Sequence, residues 1–138
     1  MREYRLIIER PSPLLNQIRK MHYQKYKRLR EEWAWLIKGA AMKAGVRGEP
    51  INRCIVFVSR HCNHTTGRLP DWDGLYGGLK PVLDCLSEAS KSNPNGLGII
   101  VDDSPKHIIT LSAMPYLCKK EDARTEIHIL ETEEPPIG

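Results

Sequence analysis

No apolar run in these 138 residues approaches the ~18 needed to span a bilayer as a helix. A signal-peptide core is missing too: the opening Met-Arg-Glu-Tyr-Arg-Leu carries charge where apolar residues would be required, so a cytoplasmic location is expected. Cysteine is sparse. Cys54, Cys62, Cys85 and Cys118 show no repeated CxxC spacing, which argues for reduced thiols rather than a disulfide framework. His61-Cys62-Asn63-His64 invites a zinc reading, but the second ligand pair of a structural zinc site is missing, and a polar loop following a strand fits better. Internal repeats, low-complexity tracts and linkers are absent as well. The length suits one domain over residues 1–138 with a single buried core.

The formal charge of +4 is modest, and its distribution says more than its size. Arg19, Lys20, Lys25, Lys27, Arg28 and Arg30 fall within one stretch that holds no acid, interleaved with Tyr23 and Tyr26, whereas the C-terminal stretch carries Glu131, Glu133 and Glu134. A concentrated basic segment with aromatic residues suits a polyanion such as nucleic acid, although a solvated helix face has the same composition.

Residues 3–10 hold Leu6, Ile7 and Ile8 and end at Pro11-Ser12-Pro13, a strand followed by a stiff turn. Over residues 21–44, Tyr26, Leu29, Trp33, Leu36 or Ile37, Ala40 and Ala44 recur at three- and four-residue steps, predicting an amphipathic helix stopped by Gly45. Trp33 and Trp35 cannot share a face of that helix, so one belongs to the core and the other is exposed. Residues 52–60 read as the clearest strand, and residues 61–70 as a polar loop. A segment beginning at Asp71 becomes helical near Leu79 or Lys80 and is broken at residues 92–96. Three strands follow, a short one at 99–101 and two at 107–114 and 125–130, the last two expected to be antiparallel neighbours. The fold class expected is α+β, a small mixed sheet with two main helices packed on one face.

Acids collect at the ends of these elements. Asp71 and Asp73, two apart in a segment read as extended, would point to one side. Asp102 and Asp103 terminate a strand. Carboxylates brought together repel, and a hard divalent ion, Mg²⁺ or Mn²⁺, relieves the repulsion while leaving positions for water and phosphate oxygens. Such an ion lowers the pKa of its water and neutralises charge in phosphodiester cleavage. Lys80, an i,i+4 partner of Asp84, is the candidate cation for the scissile phosphate. Each piece alone has an ordinary explanation: a lone DxD is common on surface turns, Asp-Asp before Ser-Pro opens turns, and Asp84 pairs with Lys80.

Together, Asp71-Trp72-Asp73-Gly74, Lys80-Pro-Val-Leu-Asp84-Cys-Leu86 and Val101-Asp102-Asp103 resemble the signature of the RusA Holliday junction resolvases. That signature is Asp-x-Asp-Asn, then Lys-x₃-Asp-x-Leu on a helix, then a strand ending in Asp-Asp. The resemblance is specific from Arg68 to about Ile109 and loose elsewhere. It implies a RusA-like fold and a Mg²⁺-dependent endonuclease acting on four-way or branched DNA in recombination and repair. Asp71, Asp73 and Asp103 would bind metal, with Asp102 as a possible helper and Lys80 in an essential basic role. Two symmetric nicks imply a homodimer. Arg68 and the basic stretch from Arg19 would hold DNA.

The chain departs from that pattern at Gly74, which replaces the asparagine, and at Tyr76, Gly77 and Gly78, which lengthen the step from Asp73 to Lys80. Pro81 would break a continuous helix at Gly77, so a break at Gly77-Gly78 is expected, with regular helix starting near Pro81 and Lys80 returned toward the metal. The alternatives are a different two-carboxylate nuclease, for which Asp103-Ser-Pro-Lys106 has one residue too many, and a non-catalytic DNA-binding module using the basic helix. A DxD glycosyltransferase would need a longer chain.

Overall fold

A computed structural model describes residues 1–134; residues 135–138 of the expected domain lie outside the described residues. Strand β1 (Glu3–Ile8) leads through the Pro11-Ser12-Pro13 turn to a short helix, α1 (Leu15–Arg19), and then to the long helix α2 (Tyr23–Ala44). After these come β2 (Cys54–Asn63), α3 (Trp72–Gly77), α4 (Lys80–Leu86), β3 (Ile108–Cys118) and β4 (Arg124–Glu131). The four strands form one mixed sheet in the order β1-β4-β2-β3, with β4 antiparallel to both neighbours and β2 parallel to β3. No helix among the described residues is long and apolar enough to cross a membrane.

Alternation decides which face of the sheet is buried. Tyr4, Leu6 and Ile8 of β1, Val56 and Val58 of β2, and Ile127 and Ile129 of β4 point into one core. Trp33, Ile37, Ala40 and Ala41 of α2 meet them at helical spacing. Trp33 is fully buried while Trp35 is 77% exposed, as their offset on the helix demands. Gly45 ends α2 at φ 74°, a left-handed conformation in which its N–H reaches back to the carbonyls of Ala41 and Met42. The mixed α+β class and the single helical layer thus agree with expectation.

Several local expectations are corrected. Asp71 and Asp73 are not in an extended segment. Asp71 is the N-cap of α3 and Asp73 lies in its first turn, where acidic side chains suit the positive end of the helix. Residues 99–101 form only an isolated bridge, Ile51 to Ile100, because their backbone is used elsewhere. The N–H groups of Leu97, Ile99 and Ile100 go instead to the carbonyls of Cys85 and Leu86 at the end of α4. Strands β3 and β4 are not neighbours: β2 lies between them, pairing parallel with one and antiparallel with the other. The polar loop after β2 begins late, since β2 continues through Asn63, and α1 occupies residues to which the sequence assigned no element.

The break between α3 and α4 occurs at Gly78, with Pro81 in the first turn of α4. The glycines there permit close approach rather than unusual backbone. A Cβ at Gly78 would overlap the Pro13 carbonyl, and one at Gly77 would lie 2.9 Å from the Leu15 side chain. The proline turn after β1 therefore packs directly onto the bend that precedes Lys80.

Candidate functional site

The acids fall into two clefts. Asp71 and Asp73 line one together with Asn16 and Arg19 of α1 and with Arg68. Although the extended reading fails, the two carboxylates still border one cleft, and two of the cations expected to touch DNA stand beside them. Asp84, Asp102 and Asp103 line the other cleft with Lys80. The connection after α4 explains this second grouping. Once Leu97, Ile99 and Ile100 are pinned to the carbonyls of Cys85 and Leu86, and Val101 to that of Ile51, Asp102 and Asp103 are delivered beside Asp84 of α4.

In the second cleft the electrostatics are uneven. Burial pushes the Asp103 carboxyl above its ordinary range, and the neighbouring Asp102 and Asp84 push it further, while Lys80 pulls it back. Burial acts the same way on Asp102, but it is outweighed by hydrogen bonds from the Asp103 backbone and Ser104, so this carboxyl is held below its usual range. The two adjacent carboxyls are thus shifted in opposite directions, the response of crowded carboxylates to mutual repulsion. Lys80 Nζ lies 3.6 Å from Asp84 Oδ1, and its side chain remains 70% exposed, leaving it free to meet a second anion. The helix break places Lys80 with Asp84, Asp102 and Asp103 rather than in the cleft of Asp71 and Asp73.

Helix α2 packs against α4, which carries Lys80 and Asp84. Burial raises the Tyr26 hydroxyl pKa, with Asp84 adding to it and Lys80 opposing, so this ring shares the field of the acidic group. The Arg30 guanidinium sits 5.1 Å from the Tyr26 ring centroid. Arg30 Nε is buried and has no hydrogen-bond partner. The Arg30 carbonyl accepts from Cys85 Sγ at 3.5 Å, which ties α2 to α4. Lys20, Lys25, Lys27 and Arg28 are exposed along the preceding residues of the same stretch. Asn93, which sequence reasoning missed, donates from Nδ2 to the Asp84 carbonyl at 2.8 Å. It lies in a loop whose only local signal was Asn-Pro-Asn-Gly, a turn.

The donors available are carboxylate oxygens, which suit a hard divalent ion better than a soft one. Crowding at Asp103 is a second sign that a cation fits there. Among the described residues no three His, Cys, Asp or Glu side chains stand as a ready-formed cage. His61 and His64 are otherwise engaged: His61 stacks on Tyr116 at 4.9 Å, and His64 Nδ1 is hydrogen-bonded to the Cys118 carbonyl. Burial pushes the Cys85 thiol up to about 12 and that of Cys54 to about 11, so neither is a thiolate nucleophile at neutral pH.

Compared with known proteins, the chain matches no family model, and no curated protein matches it.

Proposed function

We propose that the protein is a Mg²⁺-dependent DNA endonuclease that resolves branched DNA by phosphodiester hydrolysis, acting as a homodimer. The observation that carries this reading is the juxtaposition of an acidic cleft with an exposed lysine and a basic, aromatic helix flank. Asp103 and Asp102 are the ligands best supported by crowding, with Asp84 beside them. Asp71 and Asp73, ligands by the resemblance to RusA resolvases, line the separate cleft with Arg19 and Arg68. Bound Mg²⁺, or Mn²⁺, would supply an activated water and offset charge on the phosphate.

The chain's own residues have separable tasks. Lys80, exposed and next to the acids, stabilises negative charge developing on the scissile phosphate. Arg30 and the basic residues before it, together with Arg19 and Arg68, hold the DNA backbone through phosphate contacts. Tyr26 orients Arg30. The acids repel DNA until a cation neutralises them, which makes productive binding depend on metal.

The test is incubation of the protein with a labelled mobile four-way junction and a matched linear duplex, with and without Mg²⁺. Paired nicks in the junction that require Mg²⁺ and vanish in Asp103→Asn are expected. Tight binding of both DNAs with no nicking under any divalent ion would favour a binding module that uses the basic helix.

A further inference from the structure

The helical layer covers one face of the sheet and leaves the other open. We infer that the open face is the seat of a second copy of this chain, packed sheet against sheet about a two-fold axis. The inference assigns a surface to the homodimer of the nuclease reading, and its physical grounds lie in the sheet alone.

The register builds the face in cross-strand rows. Arg5, His128, Phe57 and Ser112 form one row, and Ile7, Glu126, Ser59 and Met114 the next; His61 and Tyr116 continue it. Trp72 and Tyr76 of α3 wall its β3 side, around a cavity of about 530 Å³. Phe57, Met114 and Tyr116 are 43%, 51% and 46% exposed, and Ile7 and Trp72 are more than half exposed. Large apolar side chains gathered on one uncovered sheet face call for a partner.

Charge selects the partner. Arg5 and Arg124 share the face with Glu3 and Glu126: Glu126 pairs with Arg124, Nη2 to Oε2 2.8 Å, and stands beside His61, while Glu3 pairs with His128. A face on which acids stand among the cations is a poor seat for phosphates. Apolar residues framed by both signs of charge are self-complementary under a two-fold rotation. Size agrees as well. Four strands ~4.8 Å apart and about six residues deep give a footprint of about 400 Å². Side chains standing off the sheet roughly double this, so two copies would bury about 1,500 Å² in total, a standard interface.

Edge-to-edge pairing is the less suitable route. Tyr76 Oη takes the Ala113 N–H of edge strand β3 at 2.9 Å, and Pro115 two residues on has no N–H to give. The β3 edge is thereby blunted, and the open face offers the larger apolar surface.

Sedimentation equilibrium of the DNA-free protein tests this. Wild type is expected at twice the 15.8 kDa chain mass, and Phe57→Glu and Met114→Glu are expected to weaken self-association at least tenfold. Met42→Glu, on an exposed part of α2, should leave it unchanged. Oxidation of the wild type supplies a readout that needs no variant: Met114 should be protected relative to Met42 at high concentration and lose that protection on dilution. A wild type that stays monomeric, or a dimer with Met114 unprotected and with unchanged affinity in both variants, overturns the inference. A monomer whose junction binding is lost in Phe57→Glu overturns it in favour of nucleic acid on this face. Because no DNA enters the mass and oxidation measurements, failure of cleavage alone would count against the nuclease reading and not against this surface.

Discussion

Asp102 and Asp103 are adjacent in sequence yet are pushed in opposite directions, one by hydrogen bonds and one by burial and neighbouring acids. Such a pair is sensitive to the loss of a single charge. Asp103→Asn is expected to abolish Mg²⁺-dependent cleavage while leaving or strengthening junction binding, since one charge opposing the phosphates is removed. Wild-type cleavage by this variant would remove Asp103 from the metal site. Lys80→Met should lower the single-turnover cleavage rate by ~10²–10³-fold, the usual loss on removing one preorganised charge-stabilising group. An unchanged rate would leave Lys80 as only a helix partner of Asp84. Gly78 acts by size. Gly78→Ala must displace the Pro13 carbonyl or the bend, and a loss of about 1–3 kcal/mol in urea unfolding is expected, as for other overpacked sites. An unmoved midpoint would show that the proline turn yields freely.

At the scale of elements, α2 is the part most open to reading from sequence. Its apolar residues keep one period over six turns, and a glycine stops it, so local physics and tertiary packing ask for the same helix. Its N-terminal half is also the proposed DNA-binding face. Lys27→Ala should weaken binding to all DNA sequences and reduce the salt dependence by about one unit of slope, read from binding isotherms across salt concentrations. An unchanged slope would take this part of α2 out of the interface. Residues 97–101 and the Asp71 segment were the least legible elements. Ile99-Ile100-Val101 has a strand's composition, but the Leu86 carbonyl at the end of α4 claims the N–H groups of Ile99 and Ile100, and Val101 donates to Ile51. Asp71-Trp72-Asp73 gives no clear periodicity in three residues, and only the helix that follows makes Asp71 a cap. Cap and strand readings place the same two carboxylates differently.

Across the whole molecule, the two ends of the described chain are joined. The Arg2 backbone N–H donates to Glu131 Oε1 at 2.8 Å, and its guanidinium approaches Glu131 Oε2 at 3.3 Å, while Nη1 donates to the Glu49 carbonyl. The Arg2 hydrogen bonds hold the Glu131 carboxyl below its ordinary range. A depressed folded-state pKa adds stability that is complete above the unfolded value, near pH ~4.3, and is lost as pH falls through the folded value. Glu131→Gln should therefore flatten part of the acid limb of the stability curve below about pH 5 and change little between pH 7 and 8. Equal acid limbs in thermal unfolding would show that the contact is screened away. The effect should be small, since a partly exposed pair contributes at most about 1 kcal/mol.

The amino-acid sequence by itself determined the α+β class, the long amphipathic helix, the buried and exposed tryptophans, the need for a break before Pro81, and the candidate acids. Each follows from periodicity, capping or steric rules that act within a few residues. Only the tertiary structure decided the strand order, which inserts β2 between β3 and β4, and the division of the acids into two clefts. It also decided that Lys80 keeps company with Asp84, Asp102 and Asp103, and which side chains the open sheet face presents. Those outcomes depend on which carbonyls and apolar faces find partners far away in the chain, and no local pattern carries that information.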